Sequence, residues 1–210
     1  MKSRDSLLGL FWKTINNIWP MLLIVSVVLV SIRLTYLLYN KKRIEFHKEL
    51  LMFFFIIYVI LLYYIVTFQD NNYGTNNFIP FKEMLRYDIS SSLFIKNVIG
   101  NIILFVPLGI FVTLYIKNKS FLITFILSLI ISCSIEFVQS IIGRTVDIDD
   151  VILNTFGGLL GYLMYKVGSK FTCKLPKFMK KPLFLDILSL LFVLVIIYII
   201  FKFEFWRYLS

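Results

Sequence analysis

Six stretches of this chain are long and apolar enough to cross a lipid bilayer: residues 18–39, 50–68, 96–116, 121–142, 148–167 and 183–202. A hydrocarbon core about 30 Å thick takes about 20 helical residues. Within it the backbone must satisfy its own hydrogen bonds, which a helix does within one segment. The chain is therefore read as all-α, a polytopic integral membrane protein of about six transmembrane helices. The fifth stretch is the least uniform: it starts in acidic residues and contains Asn154, Gly157, Gly158 and Gly161.

Composition excludes the main alternatives. Of 210 residues 59% are hydrophobic and 16% charged, too few polar side chains to coat a soluble domain of this length. The formal charge of +10 does not point to nucleic acid, because the basic residues lie in short loops between apolar runs. There they act as topology signals and as contacts for anionic lipid. Cys133 lies in an apolar run and Cys173 in a basic loop, so no disulfide between them is expected. With His47 the sole histidine, no zinc set is available, and no metal or cofactor is expected. The first apolar run is too long, and lacks a small-residue cleavage site, to be expected as a cleaved signal peptide.

Basic residues orient the spans. Lys41, Lys42, Arg43 and Lys48, then Lys117 and Lys119, then Lys170, Lys174, Lys177, Lys180 and Lys181 fall on one side if six spans alternate. That side is expected to be cytoplasmic. Segment 69–95 and turn 143–147 then face outward. Lys2, Arg4 and Lys13 favour the inside, so residues 6–17 alternatively form an interfacial helix. Arg33 and Asp186 lie near helix ends and are expected to snorkel.

The polar residues gather on the outward side. Glu136 and Gln139 share a helix face, with Glu136 about 9 Å below the end of its span. Asn154 lies at similar depth on the fifth span, and Asn101, four residues from Asn97, in the outer part of the third. Arg144, Asp147, Asp149 and Asp150 close the turn above them. Asp147 is open to two readings, helix cap or site residue. Arg144 is an interfacial anchor or a partner for the aspartates, and the asparagines are site residues or interhelical glue. Glu136 stands out, because an ionisable group at membrane depth costs roughly 2.5–3.5 kcal/mol and usually faces a cavity or partner. Gly157 and Gly161 form a G-x-x-x-G step for close helix approach. Asn154, Gly158 and Gly161 share a face, which suggests spans four and five packed as a hairpin with Glu136 near Asn154. Pro107 removes a backbone bond from the third span.

The stretches "NFIPF" (77–81), "NIILFVPLG" (101–109), "EFVQ" (136–139) and "GRTVDIDDVILNTFGGLLG" (143–161), in this order and spacing, resemble the VanZ-like family of membrane proteins. That family takes its name from a protein that raises resistance to teicoplanin, a lipoglycopeptide. The resemblance covers roughly residues 50–167 and implies a core of four spans. It leaves 1–49 as an extra span with a basic loop and 168–210 as a basic loop with a last span. The family pattern falls on Asn77, Pro80, Phe81, Asn101, Pro107, Gly109, Glu136, Gln139, Arg144, Asp147, Asp150, Asn154, Gly158 and Gly161. It implies a bacterial cell-membrane protein affecting lipoglycopeptide susceptibility, and it supplies no reaction. The implied partners are membrane lipids and a lipoglycopeptide or lipid-linked cell-wall precursor.

Three functions are compatible with these residues. In the first, a non-catalytic envelope protein holds a lipid or an antibiotic's acyl tail in an outer cavity lined by Asn101, Glu136, Gln139 and Asn154, with Arg144 on an anionic headgroup. In the second, an intramembrane enzyme uses Glu136 as general base, with Asp147 or Asp150 helping to hold Mg²⁺ or Ca²⁺. A transporter is the third, although the polar groups lie to one side of the bilayer rather than at its middle.

Overall fold

The computed structural model describes the backbone of residues 7–68, 76–116 and 120–209, and the side chains of 18–65, 76–116, 120–172 and 174–198. The side chains of Lys2, Arg4, Lys13, Lys117, Lys119 and Cys173 lie outside these, as does segment 69–75. Among the described residues six long helices follow one another: α1 (Leu7–Tyr39), α2 (Phe46–Phe68), α3 (Ser92–Tyr115), α4 (Phe121–Ile141), α5 (Ile148–Lys174) and α6 (Pro182–Leu209). The described residues hold no strand beyond a single bridge pair, Asn77 with Asp147.

The apolar runs predict the helices well. Four stretches meet both the length and the apolarity of a membrane span: Ile18–Tyr39, Phe46–Ile65, Ser92–Tyr115 and Phe121–Ile141. The 27-residue α5 has the length, but Asn154, Thr155 and its glycines dilute its apolar content. The start of α6 is apolar over Pro182–Tyr198. No separate interfacial helix forms over residues 7–17; α1 continues from Leu7 through Pro20 to Tyr39.

The chain forms two compact units: Tyr58–Cys173, and a unit built from both ends, Met1–Ile57 with Lys174–Ser210. In the two-ended unit the charges expected to snorkel are paired instead. Arg33 on α1 donates from Nε and Nη2 to the Glu49 carboxylate of α2 at 2.8 and 3.0 Å. On α6, Asp186 Oδ1 accepts the backbone N–H of His47 at 2.8 Å and lies 2.7 Å from its ring Nδ1. Phe54 meets Phe192 edge-on, with ring centres 6.2 Å apart. Pairing offsets the cost of a charge in an apolar helix and ties elements together. Arg33→Glu should lower the unfolding temperature and Glu49→Arg in the same chain should restore it. A double-mutant cycle should show a coupling of about 0.2–1 kcal/mol, weakened by salt because the pair is half-exposed.

In the unit Tyr58–Cys173, α3, α4 and α5 meet along a glycine seam. A Cβ added at Gly157 would strike the Ile102 carbonyl oxygen, and one at Gly161 the Val106 carbonyl oxygen, both on α3. Gly109 of α3 and Gly158 of α5 touch backbone to backbone, while Gly158 also takes the Ser128 side chain of α4. Hairpin packing of spans four and five is thus incomplete as a picture: the G-x-x-x-G step of α5 faces α3, and Gly158 alone sits between both neighbours. Small residues bring backbones this close, and dispersion then replaces the absent hydrophobic drive inside lipid. The helix runs on through Pro107, and the Tyr58 hydroxyl donates to the Leu104 carbonyl at 2.7 Å one turn earlier.

Candidate polar site at the start of α5

Glycine starts the turn that builds the site. Gly143 has φ +82°, a conformation that side chains disfavour, and it reverses the chain between α4 and α5. The Arg144 N–H closes back on the Gln139 carbonyl at 2.9 Å. Asp147 then caps α5: its Oδ1 accepts the Asp149 N–H at 2.9 Å, two residues into the helix. The same oxygen accepts from Asn77 Nδ2 at 2.8 Å. Asn77 also bridges the turn through its backbone, donating to the Val146 carbonyl at 2.9 Å and accepting from the Ile148 N–H at 3.0 Å. Burial pushes the Asp147 carboxyl up from its ordinary value, against the hydrogen bonds from Asp149 and Asn77.

Below this turn lies Glu136, only 4% exposed. Its Oε2 accepts the Asp147 N–H at 2.9 Å. With the Gln139 side-chain amide oriented to satisfy both its ends, its nitrogen donates to Glu136 Oε1 at 2.9 Å and its oxygen accepts from Arg144 Nη1 at 3.2 Å. Arg144 therefore reaches the carboxylate through Gln139, and its positive charge acts on both Glu136 and Asp150. Asp150 in turn accepts a short hydrogen bond from Asn101 Nδ2 of α3. Asn101 follows a π-helical turn, Ile95–Ile99, that contains Asn97. The wider i→i+5 turn breaks the alignment of residues four apart, so Asn97 and Asn101 do not share a simple helix face.

Most of the predicted site residues come together: Glu136, Gln139, Arg144 and Asp147 form one hydrogen-bonded set, and Asp150 pairs with Asn101 beside it. Asn154 departs from expectation. Its Nδ2 donates to Ser132 Oγ at 2.9 Å, one turn deeper than Glu136 on α4. The reason is register: Glu136 is drawn up to the Asp147 N–H at the helix end, which leaves Ser132 opposite Asn154. Asn154→Ala and Ser132→Ala should each cost about 0.6–2 kcal/mol of unfolding free energy. The double variant should cost little more than either single one, because both remove the same bond.

Two features escape a reading of the sequence. Thr124, Ser128, Ser132, Glu136 and Gln139 are all buried and form a polar stripe along the whole of α4. Their spacing of four, four, four and three residues was the available signal. Asp149 is the second, at 1% exposure. Its carboxylate accepts three backbone N–H groups from the segment preceding α3: Phe81 in a short bond, Glu83 at 2.8 Å and Met84 at 3.1 Å.

Comparison with known proteins places these residues in a family. The VanZ/LLP1 family profile matches residues 54–169, which include the glycine seam and every residue of the polar site. The chain is also 37% identical over 102 residues to Protein VanZ of Enterococcus faecium. That alignment covers 48% of this chain and 62% of the relative, so the chain spans less than two thirds of the relative's length. No solved structure matches. The chain is a member of the VanZ/LLP1 family.

Proposed function

We propose that this protein resides as a multi-pass protein in a bacterial cell membrane. There it lowers susceptibility to teicoplanin-type lipoglycopeptides through a polar intramembrane site that faces outward. The observation that carries this reading is the group Glu136–Gln139–Arg144 beside Asp150–Asn101, with Glu136 and Gln139 buried near the end of α4. Two carboxylates and a guanidinium so placed can hold the polar part of a ligand whose acyl part remains in lipid. Both lipoglycopeptides and lipid-linked cell-wall precursors have that two-part chemistry. The basic residues support that direction: Lys41, Lys42 and Arg43 precede α2, Lys48 lies in its first turn, and Lys170 and Lys174 at the end of α5 lead into Lys177, Lys180 and Lys181.

The test is susceptibility in a host strain carrying the wild-type gene, Glu136→Gln or an empty vector, with membrane expression checked. Wild type should protect against teicoplanin and not against vancomycin, which lacks the lipid tail. Glu136→Gln keeps the shape of the side chain and removes its ability to ionise, so it should abolish protection at equal expression. Absence of protection by the wild-type gene would rule out the resistance reading. Full protection by Glu136→Gln would separate resistance from this site.

A further inference from the structure

Residues 77–91 are neither a span nor an ordinary polar loop. Phe78, Ile79, Phe81, Leu85 and Ile89 all point away from the protein, with Leu85 83% and Ile89 78% exposed. In water such a patch would be a liability, and in a polar loop it would have no use. The same apolar strip continues onto α3, through the exposed Leu93, Ile95, Ile99 and Ile103. That part of α3 belongs to a stretch with the length and apolarity of a membrane span. The patch on the irregular segment is therefore an extension of a lipid-facing surface.

Irregular backbone enters hydrocarbon only when its hydrogen bonds are met by the protein. Here they are met. Asn77 N–H goes to Val146, Ile79 N–H to the Asn77 side chain, and Lys82, Leu85 and Arg86 N–H to carbonyls within the segment. Pro80 has no N–H to satisfy. The remaining donors of the bend, Phe81, Glu83 and Met84, all go to the carboxylate of Asp149. Phe81 has φ +66°, so the bend is held in a conformation that a free chain would leave. A buried acid in place of water thus takes three donors that the unwound stretch 79–86 would otherwise leave open.

We propose that residues 78–93 form a membrane-embedded foot, seated in the acyl–headgroup boundary of the leaflet on the side of the Gly143 turn, with Asp149 as its internal hydrogen-bond acceptor. Its partner is the phospholipid bilayer itself. The foot holds its place whatever ligand the neighbouring polar site takes.

The test uses the full-length protein carrying Cys133→Ser and Cys173→Ser, with a single cysteine at 79, 85 or 89 labelled by an environment-sensitive fluorophore. It is placed in phosphatidylcholine–phosphatidylglycerol nanodiscs. All three labels should emit as in an apolar medium. They should be quenched several-fold more by doxyl groups on the lipid chains than by aqueous iodide. Adding Asp149→Asn should raise iodide access at 85 and 89 while circular dichroism shows the helices retained. If that variant fails to fold, the labels in the Asp149 background decide the matter alone. Labels quenched by iodide would overturn the proposal. So would labels shielded from both quenchers, which would put protein rather than lipid against the segment.

Discussion

Asp149→Ala should lower the unfolding temperature of the detergent-solubilised protein by roughly 6–12 °C. Three backbone N–H groups lose their acceptor at once. Orphaned donors cost about 1–3 kcal/mol each, and even the lower bound sums to about 3 kcal/mol. For a chain of this size each kcal/mol moves the midpoint by about 2–4 °C. Asp149→Asn should fall between alanine and wild type: one oxygen remains to accept, and the amide nitrogen that replaces the other cannot. Asp88→Ala, an exposed carboxylate in the same stretch, should change the free energy by no more than about 0.5 kcal/mol. Thermal unfolding followed by circular dichroism reads all three. Equal midpoints for Asp149→Ala and Asp88→Ala would show that the buried carboxylate does not hold the segment.

The glycine seam should give an equally large effect with a sharper signature. Gly158→Ala would place a methyl group onto the Ser128 side chain, and Ser128 is the sole residue outside its own helix that this methyl meets within contact distance among the described residues. Overpacking of this kind costs typically about 1–3 kcal/mol. Adding Ser128→Gly removes both clashing atoms and should recover most of the loss. Gly109→Ala meets the carbonyl and Cα of Gly158, which are backbone. No side-chain substitution can clear that collision, so Gly109→Ala should remain destabilised in the Ser128→Gly background. Equal rescue of Gly158→Ala and Gly109→Ala by Ser128→Gly would contradict the packing described for α3, α4 and α5.

The helices were legible because their signal is crude: a bilayer imposes a length, and runs such as 121–142 meet it without interruption. The linked group was legible in outline, since acids and amides in an apolar chain must find one another. The choice of partners was hidden. Asp147, Asp149 and Asp150 are near neighbours in sequence, yet successive residues around a helix start point about 100° apart. One therefore caps α5, one reaches the 81–84 bend and one meets Asn101. No local pattern says which acid takes which direction. Likewise Gly157 and Gly161 announce a close approach, but only the packed structure shows that it is α3 that approaches. Arg33 and Asp186 were placed near helix ends, where sequence gives no view of Glu49 or His47 across the fold. The stripe Thr124–Ser128–Ser132 shows its period plainly and is easily passed over, since small hydroxyl residues are ordinary in spans.

The bond between Asp149 and the bend before α3 also sets an order of events during synthesis. Its donors are made 65 to 68 residues before its acceptor. At about 5–20 residues per second, the ribosome needs several seconds to cover that distance. Throughout that interval the bend has a left-handed Phe81 to adopt and no carboxylate to hold it. A nascent chain halted short of Asp149 has its early helices in the bilayer and an unsealed bend beside them. The turn at the head of α5, the later of the two partners to arrive, is thus the latch that lets the earlier part settle.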